Sequence, residues 1–170
     1  DEDAILKTLV AIVKRSVSQN MNILNNLQIL APMYRGKLGI DNINNIMQEE
    51  FNPNQDKGEL IHNKQKFRIN DKVIQLVNRS EDNIMNGDIG FVESFRFEDD
   101  KIVGMIVVFE SAVIEYNKDT YEQLKLAYAI SIHKSQGSEF YNTIIPFTKK
   151  YYVMLKRRLY YTAITRAKKY

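Results

Sequence analysis

The stretch from Leu126 to Phe140, LAYAISIHKSQGSEF, constrains the fold more than any other part of the chain. Leu126, Ala127, Ala129, Ile130 and Ile132 make its first part almost continuously apolar rather than alternating, the pattern of a strand covered on both faces in a parallel α/β sheet. Ligands of such sheets bind beyond the carboxyl ends of the strands. His133 to Glu139 follow at that end, so the segment reads as a nucleotide or phosphate edge. Gly137 lets the backbone approach a ligand, and Glu139 offers a carboxylate to a ribose hydroxyl. A second segment of this kind, LYYTAITRAK from Leu159 to Lys168, lies downstream.

A chain of 170 residues supports one sizeable core, or one domain with a smaller insert. No run approaches the roughly 18 apolar residues of a membrane span. The acidic start lacks the basic region of a signal peptide, so a cytoplasmic protein without a membrane partner is expected. There is no cysteine, and the two histidines, His62 and His133, stand far apart, so no protein-built metal site is expected. The net charge of +3 is unevenly spread. From Phe140 onward there is no Asp or Glu, whereas Lys149, Lys150, Lys156, Arg157, Arg158, Arg166, Lys168 and Lys169 are basic. A basic terminal segment on an otherwise mildly acidic chain points to phosphate, most often nucleic acid. A solvated cationic helix face is the alternative.

The spacing of Ile5, Leu9, Ile12 and Val13 predicts an amphipathic helix over Glu2 to Gln19. A short strand over Gln28 to Ala31 follows, then a loop, Pro32 to Gly39, carrying Arg35. A helix is expected from Ile40 to Phe51, stopped by Asn52 and Pro53. Asn54 to Lys66 reads as a polar surface connection. From Phe67 to Thr120 the periodicity changes to short strands, over Lys72 to Val77, Ile89 to Phe97 and Ile102 to Phe109, with turn chemistry at Asn86-Gly87 and Asp99-Asp100. Several strands flanked by α/β segments suggest a small inserted β-barrel, the alternative being a meander that extends the main sheet. Buried strands over Leu124 to Ile132 and Asn142 to Phe147 and a helix over Tyr152 to Ala167 complete the reading. The stop at Tyr170, where a further strand is expected, suggests a fragment.

Among residues able to do chemistry, Arg166 sits beside the apolar stripe of its helix, where a guanidinium can be aimed at a transferring phosphoryl group; an ordinary salt bridge is the alternative. Arg35, in a glycine-flanked loop after a strand, is also placed to reach a phosphate. Gly36-Lys37 is no Walker loop, because Leu38 follows and the upstream glycine is missing, and no such loop occurs in the chain. The Ser-x-x-Lys at Ser131 to Lys134 lacks the companion motifs of serine acylases. Tyr151-Tyr152 and Tyr160-Tyr161 are candidates for base stacking or for core positions.

Three segments in order, ILAPMYRGKLGI (Ile29 to Ile40), AISIHKSQGSEF (Ala129 to Phe140) and LYYTAITRAK (Leu159 to Lys168), resemble motifs IV, V and VI of superfamily one helicases. The resemblance is to the C-terminal motor domain of RecD-like DNA helicases, in which an SH3-like barrel interrupts the chain between motifs IV and V. It implies an α/β fold: a RecA-like parallel sheet flanked by helices, in two parts (1–66 and 121–170), with an inserted SH3-like barrel over 67–120. It also implies an ATP-dependent, 5′ to 3′ DNA helicase, of which this segment alone is inactive. Arg35 and Arg166 are then the arginines that reach the γ-phosphate, with Arg166 as the finger. Gly137 and Glu139 lie near the nucleotide. His133, Lys134, Ser135 and Gln136 face single-stranded DNA. ATP is the implied cofactor, with magnesium held by a first motor domain outside this segment. That domain, single-stranded DNA, duplex junctions and recombination or nuclease subunits are the implied partners, in a bacterial or phage cytoplasm. The competing expectation is a non-enzymatic nucleic-acid-binding or docking module of helicase-like shape.

Overall fold

The computed structural model describes residues 1–56, 58–151 and 157–169. In chain order its elements are helix α1 (Glu2–Ser18), strand β1 (Leu27–Ala31), helix α2 (Ile40–Phe51), strands β2 (Leu60–His62), β3 (Gln65–Phe67), β4 (Lys72–Gln75), β5 (Ile89–Glu98), β6 (Lys101–Phe109), β7 (Val113–Tyr116), β8 (Leu124–Leu126), β9 (Ala129–Ser131) and β10 (Asn142–Ile144), and helix α3 (Arg157–Ile164). They divide into two compact units, residues 1–47 with 128 onward, and residues 48–127.

The first unit is built on a parallel sheet in the order β10-β1-β9. Strand β1 is buried along its whole length, which explains why it does not alternate apolar and polar residues. Its one polar residue, Gln28, is fully buried and donates through Nε2 to the Tyr128 carbonyl at 3.1 Å. Buried Asn44 of α2 treats Ala129 as a neighbouring strand would. Its Nδ2 donates to the Ala129 carbonyl at 3.0 Å and its Oδ1 accepts from the Ala129 N–H at 2.8 Å. These bonds satisfy backbone groups of the outer strand that no further strand pairs. Asp1 caps α1 through the Asp3 N–H, and Leu9 and Val13 are its buried residues, whereas Ile12, expected beside them, is exposed.

One expected strand proves to be two. The apolar run predicts a single strand over Leu124 to Ile132, but β8 pairs antiparallel with β4 and β9 pairs parallel with β1. The exchange falls at Ala127-Tyr128: the Ala127 N–H donates to the Lys72 carbonyl at 2.8 Å, and the Tyr128 carbonyl accepts from Ile29 at 3.2 Å. Both halves are buried, so a pattern of apolar residues does not register the change of partner. The strand expected over Asn142 to Phe147 ends at Ile144, two residues before Pro146. Of the helix expected over Tyr152 to Ala167, residues 152–156 lie outside the described residues and the rest ends at Ile164.

The second unit holds a five-stranded antiparallel sheet, β7-β6-β5-β4-β8, and the hairpin β2-β3. It shares no strand with the parallel sheet, which removes the meander alternative. Asp99 and Asp100, with φ of 47° and 60°, make the tight β5-β6 turn expected of them. The β2-β3 hairpin corrects the reading of Asn54 to Lys66 as a connection. Asn63 and Lys64 take positive φ at its tip, and only the paired Leu60 and Phe67 face the core, so the segment stays polar overall. A buried polar cluster anchors the same unit. Asp71 accepts from Gln48, Asn52 and the Arg68 N–H at 2.6 to 2.8 Å, while the Arg68 guanidinium donates to Glu49, Glu59 and the Asn52 carbonyl. Burial pulls the Arg68 pKa down, but the bonds to the two glutamates outweigh it and the net shift is upward. Helix α2 thus stops where Asn52 turns its side chain to Asp71 and the Ile69 carbonyl.

Lys72 of β4 is 3% exposed, and burial pushes its pKa down to about 7. In the unfolded chain the ammonium keeps its proton to about pH 10.4. Between these values only the unfolded state holds the proton, so stability rises with pH there. Urea unfolding of the chain is expected to show a gain of roughly 2 kcal/mol from pH 7 to 9, nearly absent in Lys72→Met. Equal gains in both proteins would show that Lys72 is not the titrating group.

Candidate functional site

Strands β1 and β9 are parallel neighbours with Ala31 opposite Ser131, so the loops that leave them, 32–39 and 132–139, start from one sheet edge. The first carries Arg35, which is exposed. Its path is fixed from beneath. The N–H groups of Ile40 and Asp41, at the start of α2, donate to the carbonyls of Met33 and Tyr34, and Asn42 Nδ2 donates to the Lys37 carbonyl at 2.7 Å. Gly39 allows this: a Cβ there would lie 2.5 Å from the Arg35 carbonyl carbon and 2.6 Å from the Tyr34 oxygen. Lys37 pairs with Asp3 at 2.6 Å and so tethers the loop to α1.

The second loop is a run of tight turns. Ser131 Oγ accepts from the Lys134 N–H at 3.1 Å, so the Ser-x-x-Lys spacing serves a turn. Ser135 is fully buried and its hydroxyl donates to the Ile132 carbonyl at 2.6 Å. It braces the loop from inside, while His133 and Gln136 point outward with exposed side chains and Lys134 is half-buried. Gly137 takes φ of +81° and has nothing within 4 Å of the place a Cβ would occupy, so its backbone is open to a ligand.

The chain after α3 docks onto this loop. The Phe140 N–H donates to the Arg166 carbonyl at 2.8 Å and the Lys168 N–H to the Phe140 carbonyl at 2.7 Å. Arg166 therefore lies past the end of its helix rather than within it. Its guanidinium is half-buried and spans to the loop through Nη1, 3.2 Å from the Ser138 carbonyl. Nε donates to the Thr162 carbonyl and Nη2 to Thr165 Oγ1. All three acceptors are neutral oxygens, so the positive charge is left for an outside anion. Glu139 pairs instead with Lys168 at 3.2 Å. Both are largely exposed, and a surface pair of this kind is worth little, so the carboxylate remains available to a hydroxyl.

The structure holds Arg166 against the loop that carries Gly137 and Glu139, and puts Arg35 on the neighbouring loop of the same edge. Sequence reasoning missed Thr165 and the close packing at Gly39. Thr165 stands beside an arginine already singled out, whereas the approach of Gly39 to the Tyr34 and Arg35 backbone leaves no mark in the sequence. Tyr160 and Tyr161 are exposed, Phe147 packs edge-on against Tyr160 at 5.5 Å, Tyr151 is buried, and Tyr152 lies outside the described residues. His62, in the other unit, is 3.7 Å from Glu122 and stacks edge-on against Tyr121. Among the described residues no three His, Asp or Glu converge as metal ligands, and no helix is long and apolar enough to cross a membrane.

A parallel sheet carrying basic and glycine-containing loops at its carboxyl edge is the arrangement of an α/β ligand-binding domain. Residues 43–109 match the family described as the ATP-dependent RecD-like DNA helicase SH3 domain, and residues 126–170 the UvrD-like helicase C-terminal domain. The two in this order make the chain a C-terminal region of the RecD-like group of superfamily one helicases. It is 33% identical over 142 residues to the ATP-dependent RecD2 DNA helicase of Deinococcus radiodurans, covering 84% of this chain and 19% of that protein. It is 31% identical over 172 residues to the RecBCD enzyme subunit RecD of Buchnera aphidicola subsp. Schizaphis graminum, covering 92% of this chain and 26% of that one. The chain thus spans about a quarter or less of these relatives. In fold it is similar to a Bacteroides Pif1 helicase in complex with ADP-AlF3 and ssDNA, with a TM-score of 0.56 and 22% identity over 82% of this chain and 38% of that one. A Pif1 helicase from Candida albicans gives 0.54 and 16%, over 85% and 45%.

The two glycines of the Arg35 loop make opposite demands. Gly39→Ala is expected to displace the loop and move the amide resonances of 33–41 in a heteronuclear NMR spectrum of the chain. Gly36→Ala, where φ is +97° but nothing lies within 4 Å, should cost about 1 kcal/mol of backbone strain and perturb only its neighbours. The reverse pattern would show that close packing at Gly39 does not hold the loop.

Proposed function

We propose that this chain supplies the second half of the ATP site, and the strand-contacting loop, of an ATP-dependent DNA helicase with 5′ to 3′ polarity. The observation that carries this reading is the arrangement of Arg166. Among the described residues its guanidinium bonds only neutral oxygens, at the carboxyl edge of a parallel sheet, and one of them belongs to the loop of Gly137 and Glu139. Arg166 and Arg35 would hold the terminal phosphate of the nucleotide, Gly137 would present backbone to it, and Glu139 would accept from a ribose hydroxyl. The open space at Gly137 and the unclaimed charge of Arg166 fit such an anion. Bound nucleotide supplies the transferable γ-phosphoryl group, with magnesium held by the phosphate-loop domain.

Within this reading, Arg166 stabilises charge gathering on the phosphoryl oxygens, an electrostatic effect that costs no reorganisation because its fork is already bonded in place. His133, Lys134 and Gln136 contact the sugar-phosphate backbone of a single strand, with Ser135 bracing them from within. Such contacts read no sequence, as a translocating enzyme requires, and weaken with salt. In this reading the unit of residues 1–47 and 128 onward is the motor part, and the inserted barrel belongs to the unit of 48–127, wider than the 67–120 expected because β2, β3 and β8 lie in it. The protein is cytoplasmic, with a first motor domain, single strands and junctions, and recombination or nuclease subunits as partners.

In the protein that joins this segment to its phosphate-loop domain, Arg166→Ala is expected to lower DNA-stimulated ATP hydrolysis by about 10³ or more. Nucleotide affinity should change only a few fold. Near-normal turnover would remove Arg166 from the reaction and favour a docking module that keeps a helicase shape.

A further inference from the structure

We propose that Thr165 is the residue that positions Arg166 for its anion, an assignment that rests on the reading of Arg166 as the phosphate-facing cation. A guanidinium carries five N–H donors in one plane. Each of its three nitrogens makes one bond here: Nε to the Thr162 carbonyl at 3.1 Å, Nη1 to the Ser138 carbonyl at 3.2 Å and Nη2 to Thr165 Oγ1 at 3.2 Å. One N–H is left on each of the two terminal nitrogens. These two N–H groups can reach an anion together, provided the plane is held.

Two of the three holding atoms are main-chain carbonyls set by the fold, whereas the third belongs to a side chain. Thr165 Oγ1 lies 3.0 Å from the Tyr161 carbonyl and 3.1 Å from that of Thr162, so its proton goes back to α3 and a lone pair is left for Nη2. The branched side chain adds stiffness at χ1. Thr165 thus passes the orientation of the last turn of α3 to the guanidinium plane without facing the ligand. Valine keeps the shape and removes the acceptor, and serine keeps the acceptor.

The test uses DNA-stimulated ATP hydrolysis by the helicase that carries this segment. Loss of one hydrogen bond from a charged donor to a hydroxyl at a partly exposed site sets the expected size: Thr165→Val lowers kcat about fivefold to tenfold and leaves KM for ATP nearly unchanged. Thr165→Ser restores most of the rate. Introduced into Arg166→Ala, Thr165→Val has no further effect, since a residue acting through Arg166 has nothing left to position. Should valine impair folding, Thr165→Ala removes the same acceptor without added bulk. Wild-type kcat in Thr165→Val, equal losses in the valine and serine variants, or an additional loss on top of Arg166→Ala each overturn the positioning role. Near-normal turnover in Arg166→Ala alone overturns the reading of Arg166 and the role of Thr165 together. Loss in Arg166→Ala beside wild-type turnover in Thr165→Val overturns the second only.

Discussion

The pairing of β1 with β9 is the constraint on which the first unit depends. Gln28 and Tyr128 are 100 residues apart in sequence, yet the Gln28 amide and the Ile29 N–H both bond the Tyr128 carbonyl. Closing so long an intervening segment costs entropy that grows slowly with length, so an insert is tolerated if strong contacts close the base. Buried Asn44 supplies two of them by bonding both backbone groups of Ala129. An unpaired buried amide costs about 1–3 kcal/mol, which sets the register of β9 firmly. Because the pairing is parallel, the loops of Arg35 and Gly137 emerge at one edge. An antiparallel neighbour would have sent one of them to the opposite end.

At that edge the side chains divide between holding and reaching. Gly39, Asn42, Ser131 and Ser135 are used within the loops, by close approach or by hydrogen bonds to their own backbone. Arg35, His133 and Gln136 are left exposed. Arg166 belongs to both groups, since it fastens the post-helical segment to Ser138 while keeping its charge uncompensated. The second unit is stabilised differently. Its Arg68 and Asp71 cluster places two charges in the interior, with Glu59 and the half-exposed Glu49 each 2.6 Å from the guanidinium, a geometry in which removing one partner is costlier than the pair is favourable.

Much of this was legible in the sequence, and the exceptions have physical causes. The parallel sheet showed in the nearly continuous apolar run at Leu126–Ile132, because burial on both faces erases alternation. The insert showed in the return of alternation at Ile89 to Phe97 and in the Asp99-Asp100 turn. Where periodicity failed, the missing information was the identity of the partner: Leu124–Leu126 and Ala129–Ser131 look alike although they belong to different sheets. The Leu60–Phe67 hairpin was hidden because just two of its residues are buried apolar ones. Within the site, Arg35, Gly137, Glu139 and Arg166 could be named from motif spacing, but not the bonds of Arg166. Those depend on a helix ending at Ile164, and helix ends are set by capping contacts such as Thr165 to Tyr161 rather than by periodicity.

A coupling between nucleotide and single strand follows if Arg166 serves both the phosphate and the loop of His133 to Gln136. Fluorescence anisotropy of a labelled oligothymidylate measures it most directly, with the helicase carrying this segment titrated in the presence and absence of a non-hydrolysable ATP analogue. The account predicts about a tenfold change in Kd between the two conditions for the wild type, and its loss in Arg166→Ala. The same nucleotide-dependent change in both proteins, or none in either, would contradict it.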